Sequence, residues 1–423
     1  MTDHTSELAR GRRANTASVL AAAVVLAGAA KEIIIARTFG VNNDLDFYLL
    51  MTAMPLALVS LYGNSWQSAA LPELADDEAN LPGSRYWFIV SIMVIPLTLV
   101  CVGAAALAAQ SPSESISGEA RSALFLLLVG VACALGLTGA SWYPVALAKG
   151  RGYMVVAAPA AVHVGIAVAV LSVGPAPLAL YGGLLLGQVL LAVVMRAYAV
   201  PRGVNTAWML SRRAVRRIFS SLWPIAGGGA AMALALPIDL LFAAQVGAGG
   251  PSIVNYSTRV PLAASVVGAA SISTVAFVDF VSIRTNPGEL GQQMRRWLVR
   301  SAGFGILAAV AIWFTSEPIA NLLWESDRLS GAELQSVVEV QRFAALFIPP
   351  FLVSMVFVRS FNAIGTNLPL LWVSLANIAV NVAGNYLLAP RFGLEGIMVS
   401  TALMYLSSGY LLRMAWRRTL RRA

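Results

Sequence analysis

The chain has 423 residues, of which 58% are hydrophobic and only 12% charged, against about a quarter charged in an ordinary soluble domain. That composition excludes a sizeable soluble domain, and the net charge of +9 then reflects membrane topology rather than a nucleic-acid partner. Cys101 and Cys133 lie in apolar runs and His4 and His163 stand far apart, so buried free thiols are expected and no metal or cofactor.

Apolar runs of about 20 residues recur along the whole length, as transmembrane helices require. The short alternating segments of a membrane barrel are missing. The spans fall at roughly 15–38, 45–71, 86–109, 121–148, 154–173, 178–199, 216–246, 252–281, 297–315, 340–362, 368–388 and 393–415. The expected fold is an all-α polytopic membrane protein with about 12 transmembrane helices. The first run is too long for a signal peptide, and no A-x-A-like site closes it.

The first span is not purely apolar. Thr16 to Ala30 is almost all Ala, Val and Leu, yet Lys31, Glu32 and Arg37 follow within the same segment. Charge at that depth is costly unless it faces protein or water. The second half carries its own intramembrane charges, Asp239 and Arg259.

An even number of spans puts both termini on one side. If that side is cytoplasmic, only Arg121, Arg328, Arg342 and Arg391 fall outside, and only Lys31, Arg37 and Arg259 fall within the membrane. Every other Lys and Arg, including Arg10, Arg12, Arg13, Arg417, Arg418, Arg421 and Arg422 in the tails, is then inside. This asymmetry sets the orientation.

The longest basic connection, about 200–215, divides the chain into two halves, 1–205 and 206–423, each a six-helix bundle. The halves echo each other. Glu32 precedes Gly40 as Asp239 precedes Gly247; Pro55 and Pro261 follow, then Glu73 and Asp279. Later, Gly150 and Gly182 are matched by Gly365 and Gly396. Such a string in register indicates an internal repeat. Even-numbered halves make the repeats parallel, with substrate expected between them.

Depth groups the charges. Lys31 and Glu32 lie in the outer half of their helix and Asp239 in the matching place. Arg259 sits about 10 Å below the outer edge, at 1.5 Å per residue. With Arg37 the cluster is positive and suits a pyrophosphate, which an arginine fork grips at two oxygens. The plain alternative is that these groups are ion pairs joining helices, with Arg37 snorkelling to the interface. Asp239 could carry a coupling ion or proton, or pair with Arg259, and Glu32 is the other coupling candidate. Asp46 and Glu395 lie at outer helix ends and read as caps or solvated groups, while Glu73 and Asp279 end repeat-related helices on the inner side and could pair as a gate. Gly227, Gly228, Gly229 and Pro237 form a possible hinge, or else allow close packing. Asn377, Asn381 and Asn385 form one polar stripe, facing a cavity or a neighbouring helix. His163 reads as a satisfied polar group.

The run K-E-I-I-I-A-R-T-F-G-V-N-N-D-L-D-F-Y, followed by Pro55, Gly63, Gln67 and Pro72, resembles the first two helices of MurJ-type lipid II flippases of the multidrug/oligosaccharidyl-lipid/polysaccharide (MOP) exporter superfamily. N-Y-S-T-R-V-P at 255–261 resembles that family's eighth helix, so Arg259 takes the place of its basic residue. L-A-P-R-F-G-L-E-G at 388–396 resembles the superfamily's turn before the last common helix. The resemblance is close over 31–72 and looser elsewhere. MurJ-type proteins usually have fourteen helices and an arginine pair in helix 2; here Val59 and Ser60 stand at those positions.

The resemblance implies a flippase, not an enzyme, with Lys31, Arg37 and Arg259 as substrate-binding residues. It would move an undecaprenyl-pyrophosphate-linked saccharide, lipid II or an exopolysaccharide or O-antigen precursor, to the outer leaflet by alternating access. A bacterial inner membrane is implied, with the bilayer and cell-envelope assembly proteins as partners. No phosphate-cradling Gly-rich loop is present, so ATP does not drive it directly. A drug–cation antiporter of the same superfamily and a non-transporting scaffold are the alternatives.

Overall fold

Helix α1 (residues 23–39) ends at Gly40, which takes φ 65°, a left-handed conformation open to glycine. The computed structural model describes residue 20 and residues 23–75, 84–109, 119–149, 151–199, 212–283 and 286–420. The tail arginines Arg10, Arg12, Arg13, Arg421 and Arg422, as well as Gly150 and residues 200–211 of the proposed boundary loop at about 200–215, lie outside the described residues. So do the side chains of Glu73 and Arg121.

The described residues contain helices and no strands. Helices α2 (Asn43–Ala75), α3 (Ser84–Ala109), α4 (Glu119–Ser141), α5 (Tyr143–Ala148), α6 (Gly152–Ala157), α7 (Ala160–Val173) and α8 (Pro177–Ala199) follow in order. Next come α9 (Arg212–Val246), α10 (Gly250–Ser271), a π turn (Ile272–Ala276), α11 (Phe277–Ser282), α12 (Pro287–Trp324), α13 (Gly331–Ala345), α14 (Ile348–Ala363) and α15 (Leu368–Leu420). Among the described residues seven helical stretches, some joining two of these helices, are long and apolar enough to cross a membrane, or up to eight if the bent α9 is one span. The described parts of the remaining sequence spans, 23–38, 86–109 and 252–281, are helical but fall short of that test.

Several expected boundaries move. The ninth span extends far past its apolar stretch, because Asn286 accepts a hydrogen bond from the Glu289 amide and Pro287 sits in the first turn. Ser330 and Glu333 form a capping box that begins α13 early. Pro144 and Pro349 restart helices after short breaks, as prolines in a first turn do.

α15 is continuous in its hydrogen bonds but reverses direction at Gly393 (φ 61°, ψ −141°). Its arms run antiparallel. Ser407 pairs with Asn377, Ser400 donates to the Asn381 carbonyl, and Gly384 and Gly396 face Ser400 and Leu388. The two spans expected at 368–388 and 393–415 are these arms.

The described residues gather into two compact units. One takes α1 and the chain from Met51 to Trp223; the other takes Gly40–Leu50 and the chain from Pro224 onward. The first unit relies on small residues. Without lateral hydrophobic drive between helices in lipid, close backbone approach is what holds them together. A Cβ on Gly187 would come within 2.5 Å of Val162 Cα, and one on Gly165 within 2.6 Å of the Gly187 nitrogen. Gly187→Leu is therefore expected to part α7 from α8, costing about 1–3 kcal/mol and visible as a lower melting temperature in detergent.

Candidate functional site

The first unit holds the charges of α1. Lys31 Nζ lies 2.6 Å from Glu32 Oε1, and both residues are largely buried. Arg37, one turn from the helix end, is exposed and makes no ion pair among the described residues. Of the three charges singled out in the sequence, two therefore meet each other and the third is available.

The second unit begins with the turn that ends α1. A Cβ at Gly40 would sit 2.2 Å from the Arg328 carbonyl oxygen, so no other residue fits. Tyr256 donates its hydroxyl to the Gly40 carbonyl at 2.8 Å and stacks on Trp324, centroids 5.2 Å apart. Asn42 caps its own helix by accepting from Leu45 N at 2.8 Å.

Asp46 does not cap its own helix. Its carboxylate accepts from Gly249 N at 2.7 Å, Ser252 N at 2.8 Å and Ser252 Oγ at 2.5 Å, and so closes the N-terminus of α10. A buried carboxylate at a helix N-terminus meets both the free amides and the positive end of the dipole. Glycine supplies the sharp entry, but it is Gly249 (φ 83°), not the repeat-matched Gly247, that turns. Asp46→Ala is expected to cost about 1–3 kcal/mol for each donor left unmatched, with Asp46→Asn recovering part of the loss in thermal unfolding.

α10 carries Arg259, which is half-buried and donates to Asn255 Oδ1 one turn earlier. A neutral amide thus positions the guanidinium within its own helix.

The densest polar cluster surrounds Asp239, which is 3% exposed. Asn381 and Asn385 donate to Oδ1 at 3.0 and 2.8 Å, and Thr401 donates to Oδ2 at 2.6 Å. Three neutral donors, from the two arms of α15, hold the carboxylate. The asparagine stripe read in the sequence therefore faces a neighbouring helix, while Asn377 pairs with Ser407 at 3.5 Å. Asn381 Oδ1 and Asn385 Oδ1 are buried without a hydrogen-bond partner. Asp239 and Thr401 also line a cavity of about 60 Å³ with Thr258 and Tyr405. Thr401 was not singled out in the sequence. Only the hairpin at Gly393 brings it back to the stripe.

The glycine–proline run of α9 does two things. The helix bends by 41° between Arg216–Ala231 and Ala233–Val246. The Ala231 amide at the bend donates to Ser374 Oγ at 2.9 Å, and Pro237 cannot bond to Ala233. Gly227 packs so tightly that a Cβ would lie 2.1 Å from Leu371 Cδ1, and Gly228 faces Leu370.

Asp279 is tied to α12: it accepts from Gln293 Nε2 at 2.9 Å and Trp297 Nε1 at 3.2 Å. Cys101 and Cys133 are buried free thiols. No cluster of three or more His, Cys, Asp or Glu able to hold a metal occurs among the described residues.

These helices make the chain a multi-pass α-helical membrane protein with the fold of the MOP-superfamily transporters. A structure described as lipid II flippase MurJ in an inward closed conformation superposes with TM-score 0.80 at 16% identity, over 95% of this chain and 87% of that one. An inward-facing MATE-family multidrug resistance transporter superposes with TM-score 0.75 at 13% identity, over 94% and 95%. A MOP transporter from Pyrococcus furiosus gives 0.69 at 14%, over 97% and 95%.

The sequence profile of the family described as lipid II flippase MurJ matches residues 35–423, and the chain belongs to that family. The probable lipid II flippase MurJ of Bdellovibrio bacteriovorus is 24% identical over 239 residues, 55% of this chain. The match spans less than half, 44%, of that relative's length.

Proposed function

We propose that the protein is a flippase that carries an undecaprenyl-pyrophosphate-linked saccharide, lipid II in the first instance, from the cytoplasmic to the outer leaflet. One observation carries the reading. On α1, an otherwise apolar helix, Lys31 is balanced by Glu32, and Arg37 remains exposed and unpaired among the described residues. Such a cation is expensive in lipid and useful to a phosphorylated headgroup. Family membership supports the same cargo.

Lys31, Arg37 and Arg259 receive the pyrophosphate. The two repeated halves, 1–205 and 206–423, alternate in access, and α9 yields at Gly227–Gly229 and Pro237. Both termini face the cytoplasm of a bacterial inner membrane. Cell-envelope assembly proteins receive the cargo afterwards.

Asp239 couples the cycle to a monovalent cation. Turning over the two asparagine amides would present their unpartnered oxygens beside the carboxylate and the Thr401 hydroxyl. That set is all hard oxygen, which hard cations require, and its single negative charge suits a single positive one. The cavity at Asp239 is roomy enough for a small ion or water.

A drug–cation antiporter would need a cavity of net negative charge, whereas the five intramembrane charges, Lys31, Arg37 and Arg259 against Glu32 and Asp239, sum to a positive one. A non-transporting scaffold would keep working after all five intramembrane charges are neutralised.

The test is rescue of cells depleted of their lipid II flippase. Growth on expression of this chain supports lipid II as cargo. Failure, together with flipping of another polyprenyl-pyrophosphate glycan, moves the substrate to that glycan. Failure of both overturns the reading.

A further inference from the structure

A groove of about 1140 Å³ lies in the second unit, formed mainly by α12, α14 and the second arm of α15. Its shape follows from helix packing. At one end α12 and α14 meet almost backbone to backbone: a Cβ on Gly305 would lie 2.6 Å from Pro349 Cα. The second arm of α15 runs alongside α14, with Tyr405 against Phe351 and Trp416 against Phe361. Arg295, ten residues of α12 before Gly305, and Arg413, on α15 beyond Tyr405, line the groove away from the Gly305–Pro349 contact. Both are exposed and neither makes an ion pair among the described residues. The wall between is apolar and turned outward: Val299 is 66% exposed and Leu406 60%. No acidic residue lines it.

We infer that this groove holds one anionic phospholipid, its phosphate between Arg295 and Arg413 and an acyl chain along the wall. Charge selects the headgroup, since two guanidiniums with no opposing acid favour phosphate over a zwitterion's balanced charge. Length selects the chain. From Arg295 to Gly305 is ten residues of helix, about 15 Å at 1.5 Å per residue, or about half of a ~30 Å hydrocarbon core. The groove is one leaflet deep, which fits an ordinary acyl chain and which a much longer polyprenyl tail overruns. By the orientation proposed above, the leaflet is the cytoplasmic one. The lipid then fills a wedge between helices that protein side chains leave open, and fixes the spacing of α12, α14 and α15.

Native mass spectrometry of the full chain, released from vesicles of equal phosphatidylglycerol and phosphatidylcholine, tests this. Wild type is expected to keep one phosphatidylglycerol at activation energies that strip phosphatidylcholine. Arg295→Gln with Arg413→Gln is expected to cut the retained phosphatidylglycerol about tenfold. Val299→Trp, which fills the groove and leaves both arginines in place, is expected to do the same, so a misfolded double variant does not blunt the test. Equal retention of the two phospholipids by wild type, undiminished phosphatidylglycerol in both variants, or its displacement by equimolar undecaprenyl phosphate would each overturn the inference. None of these readouts measures flipping, so failure here leaves the transport reading untouched.

Discussion

Arg259→Ala is expected to lower transfer of a lipid-linked pyrophosphate roughly 10- to 150-fold, the equivalent of about 1.5–3 kcal/mol for a charged hydrogen-bonding group. The fold should survive, because the Asp46 carboxylate holds the N-terminus of α10 independently of Arg259. Arg259→Lys should recover only part of the activity, since an ammonium offers a point charge where the guanidinium offers a planar fork. Transfer measured in proteoliposomes, with melting temperature measured on the same samples, separates loss of binding from loss of structure. Unaltered transfer by Arg259→Ala would remove Arg259 from the site.

Asp239→Asn is expected to abolish any dependence of transport on the external monovalent cation and to reduce the rate at least tenfold. Among the described residues the carboxylate is the only formal charge in its cluster, and its two oxygens take the three hydrogen bonds from Asn381, Asn385 and Thr401. An amide of the same shape keeps one oxygen and loses the charge that a cation needs. Asp239→Ala should be worse for stability, because three buried donors then lose their acceptor, at about 1–3 kcal/mol for each unmatched group. Replacing sodium by potassium or choline in wild type and Asp239→Asn reads the coupling directly. A variant that keeps the wild-type ion response would rule out Asp239 as the coupling residue.

The sequence exposed local chemistry better than long-range partners. Lys31 and Glu32 were legible because charge in an apolar run is conspicuous, and the structure pairs them. The spacing of Asn377, Asn381 and Asn385 showed one helical face, since four residues bring side chains back to the same side. What that face meets was not legible. Thr401 lies on the returning arm, and only the reversal at Gly393 brings it to Asp239. Asp46 was legible as a helix-end cap or solvated group, but not which helix it would close. An acid in the first turn usually serves that turn, yet here Asn42 already fills the role and Asp46 is free to reach Gly249 and Ser252. Helix ends misled for a similar reason. Hydropathy marks where lipid contact stops, whereas Asn286 and Ser330 mark where helices start, and these differ by several residues in α12 and α13.

The claim on which the rest depends is that α1 and α10 present cations to a phosphorylated lipid headgroup. Its most direct measurement is leaflet-to-leaflet transfer of fluorescent lipid II by the purified chain in proteoliposomes, compared with the variant in which Lys31, Arg37 and Arg259 are all replaced by Gln. Protein-dependent transfer in wild type and its loss in a folded triple variant is the predicted result. Equal transfer by the two proteins would contradict the account.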